Sequence, residues 1–586
     1  MKPFRLSASL SLLLLLFPFA RHAAAQVPIE PAKLPARTTF YVAWHGMPAG
    51  DARKANSLFA LWDDPALAPT RDALAQEFVQ NHSKDKSAVQ LSRADLDQFA
   101  SLFDNAFIVG YLPEPKNRVS ASASSEGKKL QWNGMFFVYD HTGKETLMLK
   151  LFLGLRLQKD APEPSPVTIA GVPVTKFTYK NSSNNSFYWA DKGKYTIAAG
   201  ERAVVEEVFA RLDDKATGAS LGTVAAFQEA QPILSKGTFE FFLRIPNLSD
   251  FVPDTAAQGI KSKPILDALR LDALHSIASS VSFEGARTHV QGAFFGDTSS
   301  GTLFDIFGDG QAAPVTLAYA TPDTISLNSG QINFTGIYAA LKRVARAALP
   351  QGQQGNADII DTMAQVKLGM SMNDALAMLT GEVGSLQSSP VLDFEQHVYF
   401  FGIRDKAGVL KLMHTLFGER ISSERAEGNA TFLKISLGGN QSSAGVAQWH
   451  FYNLAVTPDA ILGAFKTDAL RGALAQRAQS ASGGFASRPE FQAARSGFPQ
   501  NTVGMNFTDY RRVDWPGFKE HWLKELKKSS STAKALDGQK ATPAPSAPLP
   551  PWLEQVDPQI FARHLHSSFS ASWKDNHGIH FEAWID

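Results

Sequence analysis

The feature that most restricts how this chain can fold is an internal repetition. One stretch, Lys194 to Ile245, runs from a strand holding Tyr195 and Ile197 into a helix beginning near Glu201 and a Gly/Ser-rich break. It continues through Ala226-Phe227-Gln228-Glu229-Ala230 to a strand from Thr238 to Leu243. A second stretch, Val456 to Tyr510, has Ala460-Ile461-Leu462-Gly463, a helix from Thr467, a break from Ser480 to Gly484, Glu490-Phe491-Gln492-Ala493-Ala494, and Thr502 to Phe507. Phe491 follows Phe227 by 264 residues, and Thr502 follows Thr238 by the same 264. The flanks extend the match: Phe136 to Tyr139 parallels Val398 to Phe401, and Ile277 to Phe283 with His289 to Phe295 parallels Phe569 to Trp573 with His580 to Ile585. Self-similarity at a fixed spacing marks a duplicated structural unit. The expectation is two tandem copies, residues 27–300 and 311–586.

Within a unit, residues 38–43, 106–111, 133–139, 174–179, 186–190 and 194–199 alternate apolar and polar positions or carry β-branched and aromatic residues, which predicts strands. Residues 54–62, 66–80, 92–103, 144–156, 201–212 and 223–234 have apolar residues three and four apart, which predicts helices. Successive strands meet through short polar turns, as at Lys180 to Ser186 and Asp191 to Lys194, so the sheet should be mainly antiparallel with helices packed on it: an α+β fold. The second unit differs by loop insertions. The largest, Ser529 to Pro551, is rich in Ser, Ala, Pro and Lys, lacks apolar periodicity and predicts a disordered loop.

The order strand, helix from Glu201 or Thr467, Gly/Ser break, short helix with a central Phe (227 or 491) and proline-associated strand resembles a family of exported bacterial proteins, domain of unknown function thirty-three fifty-two. The resemblance covers both units and implies a cell-envelope setting. It carries no catalytic residue.

Export is predicted independently. Lys2 and Arg5 precede an apolar stretch from Leu6 to Ala20, and Ala23-Ala24-Ala25 offers a small-residue cleavage pattern, so residues 1–25 read as a signal peptide cut before Gln26, with a retained N-terminal anchor as the alternative. No later apolar run reaches the ~20 residues of a spanning helix, and Leu147 to Leu157 is interrupted by Lys150 and Arg156. The sequence does not distinguish periplasm from secretion. The absence of cysteine excludes disulfides, thiolate metal sites and cysteine nucleophiles. Cleavage removes Lys2, Arg5 and Arg21 from the 57 basic residues and none of the 56 acids, leaving a formal charge of −2. Such balance offers no electrostatic case for nucleic acid as a partner.

Motifs for chemistry are sparse. Gly218-Ala219-Ser220-Leu221-Gly222 spells a nucleophile elbow, but a helix precedes it instead of a buried strand, so Ser220 is expected to start a helix. His564, His566, His577 and His580 crowd the C-terminus, yet a hairpin turning near Asn576 would hold His566 and His580 roughly 20 Å apart at ~3.3 Å per residue. The pairs Asp63-Asp64, Glu206-Glu207 and Asp213-Asp214 are expected to cap helices or face solvent. Ser83 to Lys86 and Ser531 to Lys534 fit Ser-x-x-Lys without its partner motifs, and no phosphate-cradling glycine loop appears. No catalytic, cofactor or metal residue is assigned. The 41 Phe, against 10 Trp and 11 Tyr, supply rings without a hydrogen-bonding handle and suit either two large cores or an apolar cavity. The helix 335–348 is expected to be buried with a solvated basic face, although Ile337, Leu341, Val344 and Ala348 on one side would also suit a membrane surface. Three function classes follow: a non-enzymatic envelope protein that binds or scaffolds a protein partner, a carrier of an apolar, lipid-like ligand, and a hydrolase with its site between the units. The first is favoured, because duplication without a shared polar constellation suggests surface instead of chemistry.

Overall fold

The computed structural model describes residues 27–83, 92–113, 134–156, 162–178, 186–245, 262–299, 301–310, 314–349, 352–436, 451–479, 484–532 and 555–586. The signal-like segment 1–25, Lys86, Lys534 and residues 533–551 of the insertion lie outside them. The fold is α+β. The chain divides into a first unit of Met1–Pro253 with Leu274–Gly296 and a second of Asp254–Ala273 with Asp297–Asp586. The expected break between 300 and 311 therefore shifts, because residues 254–273, with the helix Ser262–Ala268, group with the second unit. There Arg343 donates through Nε to the carbonyl of Ala268 at 3.1 Å and through Nη2 to that of Gly301 at 3.1 Å.

In the first unit the strands are β1 (Phe40–Trp44), β2 (Phe107–Tyr111), β3 (Met135–Asp140), β4 (Glu163–Ile169), β5 (Val172–Thr178), β6 (Ser186–Lys192), β7 (Tyr195–Ala199), β8 (Phe239–Arg244), β9 (Leu274–Glu284) and β10 (Arg287–Gly296). They pair in the order β4-β5-β6-β7-β3-β2-β1-β8-β9-β10, antiparallel throughout. The second unit has β11 (Ser326–Gln331), β12 (Leu379–Gln387), β13 (Val398–Ile403), β14 (Ile421–Glu427), β15 (Ala430–Ser436), β16 (Phe451–Val456), β17 (Ala460–Ala464), β18 (Gly504–Asp509), β19 (Ser567–Lys574) and β20 (Gly578–Ile585). Their order is β14-β15-β16-β17-β13-β12-β11-β18-β19-β20, again antiparallel. The two orders coincide strand for strand.

One face of each sheet packs on the two helices that follow its seventh strand. In the first unit Val204, Val205, Val208 and Phe209 of Arg202–Leu212 and Phe227, Ala230 and Leu234 of Ala225–Leu234 close on Tyr41 and Phe242. In the second, Leu470 and Ala473 of Thr467–Gln479 and Phe491 of Pro489–Arg495 close on Leu327, Phe400 and Phe507. Phe227 meets Phe242 at 5.5 Å and Phe491 meets Phe507 at 5.6 Å, centroid to centroid. Phe242 and Phe507 are 265 residues apart, not 264, so the second unit gains a residue between helix and strand. The amide of His45 accordingly bonds to the carbonyl of Thr238 where that of Gln331 bonds to Val503. The paired threonines of the sequence are one position out of structural register.

On the other face of the first sheet, the connection from β1 to β2 lies down as cover. The expected helix 54–62 is two helices, Gly50–Ala55 and Ser57–Asp63, divided by the fully buried Asn56. Its Oδ1 accepts from the amides of Leu58 (3.2 Å) and Phe59 (3.4 Å), and its Nδ2 donates to the carbonyl of Arg287 (3.0 Å) and to Thr288 Oγ1 (3.1 Å). One side chain thus caps a helix and ties it to β10. Asn56→Ala removes the cap and strands buried groups on β10, and should lower stability by about 2–4 kcal/mol in a urea titration. A loss below about 1 kcal/mol would show that the helix is held by its apolar face alone.

The helix Trp515–Thr532 takes in residues 529–532, which the sequence had placed in the insertion. Its start is fixed by Trp515, whose ring lies 4.9 Å from Phe561 and 5.9 Å from Phe518. In the helix Phe334–Ala348 the basic side is engaged: Lys342 pairs with Asp358 at 2.9 Å and with Asp361 at 2.5 Å, and Arg346 with Asp358 at 2.7 Å. Leu341, assigned to the apolar side, is exposed. Among the described residues no helix is long and apolar enough to cross a membrane.

Candidate functional site

Backbone hydrogen bonds put the two sheets in register residue by residue. The amide of Thr39 bonds to Tyr111 and that of Arg244 to Thr39; correspondingly Ile325 bonds to Gln387 and Asp509 to Ile325. Trp44 therefore matches Gly330, Phe107 matches Val383, Phe239 matches Gly504 and Tyr139 matches Phe401. On the face away from the helix-packed core, the first unit has the cross-strand row Tyr139, Phe107, Trp44, Phe239, Val281. The second has Phe401, Val383, Gly330, Gly504, Ser572, Phe581.

The consequence is a difference in filling. In the first unit Trp44 and Met47 are buried with Phe59 from the covering helix, against Phe107, Phe239 and Phe283; Phe59 lies 4.7 Å from Phe283. The face is a second aromatic core. In the second unit the two central rings are replaced by glycines, and the next row reads Tyr399, Ser385, Asn328, Asn506, Ser570, Ala583. What remains is a trough of about 760 Å³, open on one side. Its lining draws no residue from 333–378, the stretch that corresponds to the covering connection.

The trough has a polar floor and aromatic flanks. Tyr399 (37% exposed) and Phe401 (44%) stand on one side and Phe581 lines the other, five strands away, or ~24 Å at the ~4.8 Å strand spacing. The side chains of Asn328, Asn506, Ser570 and Ser572 have no hydrogen-bond partner among the described residues and are available to a ligand. Neither glycine is demanded by the backbone. A Cβ on Gly330 would meet nothing nearer than the Val503 carbonyl at 3.8 Å, and one on Gly504 would meet first the Ser572 hydroxyl at 2.8 Å, which can rotate away. Glycine inside a strand weakens it and marks places where something approaches closely. Glu582 is the one carboxylate among the lining residues, beside amides, hydroxyls and aromatic rings.

The residues singled out from sequence lie elsewhere. Ser220 precedes the short turn of helix Leu221–Thr223, and its carbonyl accepts from Thr223 Oγ1 at 2.7 Å. Asp63 is paired with Arg53 (2.7 Å), Asp64 caps Ala66 (2.8 Å), Glu206 pairs with Arg202 and Glu207 with Arg211 (both 2.9 Å), Asp213 pairs with Lys192, and Asp214 with Lys33 (2.9 Å). Each acid serves a helix end or an ion pair, those of Asp63 and Glu207 being with the buried Arg53 and Arg211. His564 ends the helix Gln559–His564, His566 follows it, and His580 lies over Trp573 at 5.5 Å with Asp575 at 3.1 Å. Among the described residues no group of three or more His, Asp or Glu is placed to hold a metal ion. No family model, curated protein or solved structure matches this chain.

Proposed function

We propose that the protein is an exported, non-catalytic binding protein of the cell envelope whose ligand lies along the open sheet face of its second unit. The observation that carries this reading is Gly330: the backbone there has room for a Cβ, the matching residue of the first unit is a buried tryptophan, and the glycine lines a trough of about 760 Å³. That volume falls in the range of ligand sites. Exposed rings at Tyr399 and Phe401 beside unpartnered amides and hydroxyls suit an extended ligand of mixed polarity, the rings taking apolar faces and the floor taking hydrogen bonds. The envelope setting rests on the signal-like N-terminus and on the family resemblance.

Native mass spectrometry of the protein released gently from its own envelope fraction, followed by denatured reanalysis, tests the reading. A bound mass that is freed on denaturation is expected. A bare chain that also takes up nothing from an envelope extract would count against it.

A further inference from the structure

The first unit has an opening of its own, at a place the second unit fills. In the second unit the helix Lys406–Phe417 closes on β14–β17 through a dry core that includes Ile403, Ile461 and Val456, exposed by 3%, 7% and 0%. The amide of His141 bonds to Lys194 as that of Ile403 bonds to Asp459, and Asp191 pairs with Thr196 as Val456 pairs with Ile461. The three aliphatic residues are therefore matched in the first unit by His141, Thr196 and Asp191. Around them, between the helix Glu145–Arg156 and β4–β7, lies a pocket of about 790 Å³ with Met148, Phe152 and Trp189 in its wall.

The hydrogen bonds place a proton on Nδ1 of the imidazole. Asp191 can only accept, so the fully buried Thr196 hydroxyl donates to its Oδ1 at 2.6 Å; Thr196 Oγ1 must then accept from His141 Nδ1 at 2.9 Å. Among the described residues Nε2 has no partner, and when the ring is neutral it presents a lone pair at the rim of the pocket. Two carboxylates stand there, Asp191 (side chain 63% exposed) and Glu145, which the amides of Glu145 and Gly143 hold below the usual carboxylate range. The nearby lysines are engaged elsewhere: Lys144 with Asp104 at 2.9 Å, Lys194 with Asp140 at 2.7 Å, and Lys192 with Asp213.

We propose that this pocket binds an amphiphile with a cationic, hydrogen-bond-donating head, an alkylammonium whose N–H groups meet His141 Nε2 and the two carboxylates while its chain lies against Met148, Phe152 and Trp189. Thr196 is a positioning residue that sets the tautomer. The chemistry excludes fatty-acid anions, which would face Asp191 and Glu145 with like charge.

Calorimetric titration of the full chain with dodecylammonium chloride and with sodium dodecanoate, both below their micellar concentrations, tests this. One site for dodecylammonium is expected, with dodecanoate at least tenfold weaker. The triple variant His141→Ile, Thr196→Ile, Asp191→Val installs the residues of the second unit and should weaken dodecylammonium at least tenfold. Asp191→Asn, a change at an exposed side chain that does not put folding at risk, should weaken it several-fold and leave dodecanol unaffected. Equal affinity for the two ions, no binding of dodecylammonium, or wild-type affinity in Asp191→Asn would overturn the proposal. Gly330→Trp, in the other unit, should leave this binding unchanged whatever the trough proves to do.

Discussion

Filling the trough with the rings of the first unit, by Gly330→Trp and Gly504→Phe together, is expected to abolish ligand retention while the chain stays folded. Trp44 and Phe239 already occupy the matching positions of the first sheet, 6.5 Å apart, so the pair is compatible with this strand geometry. The nearest obstacle to a Cβ at Gly330 is 3.8 Å away, and at Gly504 it is a movable hydroxyl. Removing two strand glycines should itself favour the sheet by up to ~1 kcal/mol each. Two large rings would take much of the space over Asn328 and Asn506, and loss of two or more aromatic and amide contacts in a desolvated site corresponds to roughly 3 kcal/mol, or a hundredfold in affinity. Native mass spectrometry of wild type and double variant, prepared side by side, reads the outcome. A double variant that keeps the wild-type bound mass, with unchanged circular dichroism, places the ligand elsewhere in the molecule.

The sequence made the architecture legible and the site almost wholly illegible, for reasons that attach to particular residues. Apolar alternation and β-branched or aromatic residues mark β1, β2, β3, β5, β6 and β7. In β4, Pro164 and Pro166 argue against a strand, but among the described residues β4 is the edge of its sheet, paired only with β5, where missing donors cost little. The grouping of the helix Ser262–Ala268 with the second unit is not legible locally, because its partners, Arg343 among them, lie far along the chain. Motifs consist of reactive side chains, whereas the trough is made where glycines carry none. A signal did exist. Aligned by register, Phe40-Tyr41-Val42-Ala43-Trp44 of β1 corresponds to Ser326-Leu327-Asn328-Ser329-Gly330 of β11, a central strand in which Leu327 alone is a large apolar residue. Recognising it required the register of β11 against β12 and β18, which the one-residue shift between helix and strand conceals.

The largest loss of stability in the second unit should come from Phe491→Ala. Phe491 is 2% exposed and its ring lies 4.9 Å from Phe485, 5.6 Å from Phe507 and 6.0 Å from Phe569, so it ties the helix Pro489–Arg495 to β18 and β19 through a cluster of four rings. Truncation removes the transfer free energy of the ring and leaves a cavity that neighbours on a hydrogen-bonded sheet cannot collapse into, a cost of about 3–5 kcal/mol. For a unit of this size each kcal/mol shifts the melting temperature by roughly 2–4 °C, giving a fall of about 10 °C. Phe491→Leu, which keeps much of the volume, should recover at least half of the loss. Hydrogen exchange localises the effect: protection should fall first in β18 and β19, whose helix-packed face includes Phe507 and Phe569 beside Phe491, while β14 and β15, packed under the separate core of Ile403 and Leu433, keep theirs longer. A loss under about 1 kcal/mol, or uniform loosening of all ten strands, would mean that the four-ring cluster does not organise the unit.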